Sequence, residues 1–201
     1  MSKKTGIILI SIGAVLIMSA LLLFIYNEKE DRLAAQRAEA LMGDIQTVID
    51  SETDQSENTV DFPAVMPTVE IDGYEYIGYL SVPDLGLELP IMADWDYARL
   101  TIAPCRHFGS AYTDDLVIAA HNYKSHFGYL SKLEIGANVY FTDANGNVIG
   151  YVLKEEPKVL GRDAVEEVQN SGFDLVLYTC TPSGKARVAA FFDRFDGVFD
   201  E

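Results

Sequence analysis

The spacing of apolar and polar residues changes character three times along the chain. From Gly6 to Tyr26 there is no alternation: 21 consecutive residues carry no charge. As an α-helix this run is about 30 Å long, enough to cross the hydrocarbon core of a bilayer. It ends in Leu21-Leu22-Leu23-Phe24-Ile25-Tyr26, with no small-x-small cleavage site, which predicts an uncleaved signal anchor over residues 6–26 rather than a signal peptide. Lys3 and Lys4 precede the run, and Glu28, Glu30 and Asp31 come after it. This asymmetry predicts residues 1–5 in the cytoplasm and everything from Asn27 onward outside the cell membrane.

Beyond Tyr26 the pattern turns polar and helical. Glu28 to Asp50 is rich in strong helix formers, with Leu33, Leu41 and Ile45 spaced loosely along one side. It predicts a juxtamembrane helix that could continue the membrane span as a stalk. Ser51 to Pro67 is acidic, contains Pro63 and Pro67, and reads as a linker. Residues 27–68 are therefore helix plus linker, and residues 69–201 are the exterior domain.

From Val69 the period falls to that of short strands. Tyr74–Val82, Leu87–Met92, Leu116–Ala120, Asn138–Thr142, Val148–Lys158, Leu175–Cys180 and Val188–Phe195 are predicted strands. Pro83-Asp84-Leu85-Gly86 is a turn signal, and Asn145-Gly146 is a hairpin signal. Asp94–Leu100 and Asp163–Val168 predict short helical turns, and Pro104–Gly109 reads as a loop. Short strands at regular spacing with few helices predict a mainly β fold, an antiparallel or mixed barrel.

The formal net charge of −16 argues against nucleic acid and against a polybasic membrane-surface patch. The two cysteines, Cys105 and Cys180, are too few for a disulfide scaffold, although one bridge between them is compatible with the sequence. Cys-x-x-Cys is absent and the three histidines are not paired with cysteines at ligand spacing, so no metal site is predicted.

Candidate chemistry lies at strand ends. Leu175 to Tyr178 leads into Thr179 and Cys180, a turn segment comes next, and Arg187 opens the return strand. Leu116 to Ala120 runs directly into His121. Two such strand ends could face one cleft and form a Cys–His pair. Acyl transfer needs a nucleophilic sulfur, a proton donor for the leaving amine and a group that holds the oxyanion. Cys180, His121 and Arg187 could fill those roles. His107 and His126 compete for the second but sit in a loop-like stretch and a packing turn, and read as rim or structural residues. Cys105 beside Arg106 has no further sign of nucleophilic use. A non-catalytic anchored β-domain with a Cys105–Cys180 disulfide, binding surface partners, is the alternative reading.

Leu177-Tyr178-Thr179-Cys180 resembles the L-x-T-C signature of sortases, the cysteine transpeptidases of Gram-positive surfaces. Ala119-Ala120-His121-Asn122 resembles the segment that carries their catalytic histidine, and Arg187 matches the arginine at the start of the strand after the cysteine. The segments from His126 to Leu133 and from Gly136 to Asp143 are similar to the stretch just downstream of that histidine in the family. Ala120 stands where Gly is usual, Asn138 stands where an acidic residue is usual, and only six residues separate Cys180 from Arg187. The resemblance implies an eight-stranded sortase-type β-barrel with short helices behind the single transmembrane helix. It implies that Cys180 attacks the Thr carbonyl of a Leu-Pro-x-Thr-Gly-like sorting signal. The acyl group then passes to an amine of a cell-wall precursor or a pilin. His121 would move the protons, Arg187 would hold substrate backbone or oxyanion, and Thr179 would assist substrate binding from its backbone. No cofactor is implied. The partners implied are secreted proteins with a C-terminal sorting signal.

Overall fold

The computed structural model describes residues 3–53 and 65–195. Most of the predicted linker, residues 54–64, lies outside the described residues, as do Met1, Ser2 and the chain beyond 195.

The predicted membrane span and the predicted juxtamembrane segment form one helix. α1 (Lys3–Thr53) has 51 residues, about 75 Å at the α-helical rise. From Ile7 to Tyr26 its large apolar side chains are exposed. Further along, one stripe is buried: Ala34, Ala38, Met42, Ile45 and Ile49. Steps of three and four keep these five residues on one helical face. The stripe lies one position on from the expected Leu33 and Leu41, because small alanines let the helix approach the domain closely.

The strands are β1 (Val69–Ile71), β2 (Tyr74–Val82), β3 (Leu87–Met92), β4 (Cys105–Phe108), β5 (Leu116–Ala120), β6 (Asn138–Asp143), β7 (Val148–Leu153), β8 (Lys158–Gly161), β9 (Leu175–Cys180) and β10 (Ala186–Arg194). Eight of them close a barrel in the order β2-β3-β4-β5-β9-β10-β7-β6, with β6 returning to β2. Closure removes the open edges of these eight strands. The β3–β4 and β5–β9 pairs are parallel and the rest antiparallel. β1 and β8 are additions. The nine-residue strands β2 and β10 each pair with a barrel neighbour over one part and with β1 or β8 over another.

Three details differ from the sequence reading. Cys105–Phe108, read as loop, is β4. Val148–Lys158, read as one strand, breaks between β7 and β8, where Glu155-Glu156-Pro157 interrupts the ladder. The short helix α2 spans Val165–Gln169. Gly78, where β2 bulges against β3, has φ +134°, and a Cβ there would sit 1.9 Å from the Thr142 carbonyl oxygen on β6, so only glycine fits.

β5 and β9 are buried on both faces. Leu116, Ile118, Ala120, Leu175 and Leu177 join the cluster that fills the barrel. Val117, Ala119, Val176 and Tyr178 point outward, under α1, β8 and α2. Double-sided burial explains why both strands read as continuous apolar runs. The parity also fixes what lies beyond: His121 and Cys180 continue the outward series.

At the β6–β7 turn, the fully buried Asp143 carboxylate accepts from the Tyr112 hydroxyl, from Asn145 N–H (2.8 Å), and from the backbone and side chain of Asn147 (2.9 Å each). Asp143→Ala removes the acceptor of all four donors. It is expected to destabilise the protein by about 2–3 kcal/mol, read as a lower midpoint in chemical denaturation with the barrel signal retained.

Candidate active site

The parallel ladder between β5 and β9 is in register, with Leu116 opposite Leu175 and Ala120 opposite Thr179. One residue further, His121 and Cys180 leave the two strands side by side on the outer face. The Thr179 side chain faces inward. It is 2% exposed, and its hydroxyl donates to the Ala120 carbonyl at 2.8 Å. Sequence reasoning gave the Thr179 backbone to the substrate. Its side chain clamps β9 to β5 immediately before the two strand ends.

Cys180 is half-buried. A tight turn comes after it: Gly184 N–H donates to the Thr181 carbonyl (2.8 Å) and Thr181 N–H to the Ala186 carbonyl (2.9 Å). This turn brings Arg187 directly opposite Cys180 in the antiparallel β9–β10 ladder. Cross-strand partners share a face. The guanidinium donates to the Ala186 carbonyl at 3.2 Å and pairs with no carboxylate among the described residues.

His121 and Cys180 line one cavity of about 430 Å³, together with Asn122, Tyr123, Lys124, Thr181 and Pro182. The remaining wall comes from α1: Phe24, Asn27, Glu28 and Asp31. No sequence motif pointed to these four, yet they stand at i, i+3, i+4 and i+7 on the face that continues into Ala34 and Ala38, a stripe visible in retrospect. Burial holds the His121 imidazole below the ordinary histidine range and so favours the neutral ring near pH 7. Its Nε2 is buried and has no hydrogen-bond partner among the described residues. A neutral imidazole with a vacant nitrogen beside a thiol can take and return a proton.

Arg187 opens onto a second, smaller cavity of about 150 Å³, lined also by Trp95, Tyr97, His107, Arg162 and Tyr178. The structure thus brings Cys180 and His121 into one cavity and sets Arg187, opposite Cys180 in the ladder, in the wall of the second. His107 belongs to the aromatic wall: its Nδ1 is 2.6 Å from the Tyr178 hydroxyl and its ring is 4.6 Å from that of Trp95.

Cys105 cannot bridge to Cys180. Cys105 pairs with Ala119 and Ala119 with Tyr178, so the two cysteines are two strands and two residues apart, about 12 Å between Cα atoms. A disulfide needs about 7 Å or less. Both thiols are free, and burial pushes that of Cys105 up to about 12. The disulfide of the non-catalytic alternative is therefore excluded by the barrel itself.

A sequence profile of the sortase domain matches residues 80–192. The chain belongs to the sortase family. The barrel is similar to three solved sortase structures. Sortase C1 from pilus island 1 of Group B Streptococcus is 18% identical (TM-score 0.54), over 88% of this chain and 94% of that one. Sortase C-3 from Streptococcus pneumoniae is 20% identical (0.51), over 82% and 84%. Sortase C from Clostridium perfringens is 22% identical (0.51), over 85% and 96%. No curated protein matches the chain. Family membership implies cysteine transpeptidation as the chemistry of this sortase.

His126, five residues after His121, is fully buried with neither ring nitrogen partnered among the described residues. Burial, then the neighbouring His121, pulls its pKa down to about 4. The unfolded chain therefore takes up this proton first. The contribution to stability is whole above about pH 6.5 and is lost as pH falls towards 4, by about 3 kcal/mol in all. His126→Phe is expected to flatten the fall in melting temperature between pH 7 and 4.5.

Proposed function

We propose that this sortase is anchored by residues 6–26, with its N-terminus cytoplasmic and its barrel outside the cell, and that it acts on a Leu-Pro-x-Thr-Gly-like sorting signal. The observation that carries the reading is the in-register β5–β9 ladder, which sets His121 and Cys180 side by side in one cavity beneath a vacant imidazole nitrogen. The Cys180 sulfur attacks the Thr carbonyl carbon and its proton passes to His121. The Arg187 guanidinium, opposite Cys180 and engaged with no carboxylate among the described residues, stabilises the oxyanion or the neighbouring substrate carbonyl. As the Thr–Gly bond breaks, His121 returns the proton to the leaving amine and a thioester remains on Cys180. An incoming amine, from a cell-wall precursor or a pilin lysine, gives a proton to His121, attacks the thioester and releases the thiol. The buried, neutral imidazole suits both proton transfers, because it must accept before it donates.

Support for the anchor is the exposed apolar sheath of α1 and its length. Support for the orientation is Lys3 and Lys4 on one side of the span against Glu28, Glu30 and Asp31 on the other.

The test uses the full-length protein in detergent micelles with a sorting-signal peptide and an amine, and tracks the ligated product by mass spectrometry. Cys180→Ala is expected to abolish product and thioester. His121→Ala is expected to lower turnover by about two to four orders of magnitude, and Arg187→Ala by about two to three. Undiminished product from Cys180→Ala would overturn the reading.

A further inference from the structure

α1 does more at the cavity than line it. Two of its four cavity residues grip the loop that begins at His121. The Asp31 carboxylate accepts from the backbone N–H and the hydroxyl of Ser125, both at 3.0 Å, and the Asp31 carbonyl accepts from the same hydroxyl at 3.1 Å. The Glu28 carboxylate pairs with the Lys124 ammonium at 3.4 Å. The loop is closed on itself. Phe127 N–H donates to the His121 carbonyl (3.3 Å), and His126 and Gly128 N–H both donate to the Tyr123 carbonyl (3.0 and 2.8 Å). Gly128 is tight there: a Cβ would lie 2.6 Å from that carbonyl oxygen.

Within this loop the imidazoles supply little polar anchorage. Neither ring nitrogen of His126 has a partner among the described residues, nor has Nε2 of His121, whose ring meets Tyr123 at 5.0 Å. The Asp31–Ser125 contacts are therefore a fixed polar tie between the loop and the helix. α1 itself does not depend on them, since Ala34, Ala38, Met42, Ile45 and Ile49 remain buried against the barrel.

We propose that Asp31, assisted by Glu28, is a positioning residue for His121: docking of the membrane helix onto residues 121–128 holds the imidazole beside Cys180. This rests on the roles given to His121 and Cys180 above.

The ionisable groups around the ring are Cys180, Tyr123, His126, Asp31, Glu28 and Lys124. With the full-length protein in lipid nanodiscs, Asp31→Ala is expected to lower kcat on the order of tenfold to a hundredfold while KM stays within about twofold. Asp31→Asn, whose amide oxygen still accepts from Ser125, is expected to recover most of the rate. Ser125→Ala added to Asp31→Ala is expected to cost nothing further. In Asp31→Ala the ionisation of His121 in the kcat–pH profile should move upward, as the loosened loop admits water to the ring. A merely structural role would lower the folded fraction and leave that ionisation in place. Unchanged kcat with an unmoved profile overturns the inference. If the wild type makes no ligated product, the functional reading fails, and the inference is read on the thiol alone. Alkylation of Cys180 by iodoacetamide, separated from buried Cys105 by peptide mapping, should then still differ in its pH profile between wild type and Asp31→Ala. Identical profiles overturn it.

Discussion

Everything at the cavity depends on one ladder, the parallel pairing of β5 with β9. Parallel neighbours run their ends out at the same edge, so two residues distant in sequence can emerge together only if the register is right. Here register is over-determined. A slip of one residue would turn Leu116, Ile118, Leu175 and Leu177 out of the barrel and drive the outer-face residues in. The Thr179–Ala120 hydrogen bond pins the last rung. The backbone placement of His121 and Cys180 is thus a by-product of core packing.

This dependence decides what could be read from the chain alone. The strand ends at His121 and Cys180 were legible because both strands are buried on two faces and so appear as unbroken apolar runs that stop at a polar residue. Arg187 was legible because a short turn must return it beside Cys180. β4 was not: Cys105-Arg106-His107-Phe108 lies between a helical turn and a loop, and only pairing to β3 and β5 makes it a strand. The inward side chain of Thr179 follows from alternation, because an outward Cys180 puts its neighbour inside. The docking face of α1 was obscured by composition. Alanines at 34 and 38 carry little hydrophobic signal, yet their smallness permits close approach, and the eye falls on Leu33 and Leu41 instead.

The buried polar groups divide in a similar way. Asp143 is surrounded by donors and holds a turn. His126 is left without partners and stays neutral. His121 is half-buried, neutral and open on one nitrogen, which is the condition of a group that exchanges protons. Three polar side chains inside one small domain therefore have three fates, set by how many partners the fold supplies.

α1 runs without a break from its apolar stretch to the cavity wall. A helix is stiff along its axis, and from Tyr26 to Asp31 it climbs only about 7 Å. On the anchoring proposed above, the thiol would ride at the height of the lipid headgroups and could not swing far from it. Such an enzyme would search in two dimensions. A polypeptide still tethered in the same leaflet would meet it at every lateral encounter, whereas one already released into the wall above would pass out of its reach, whatever sequence it carries.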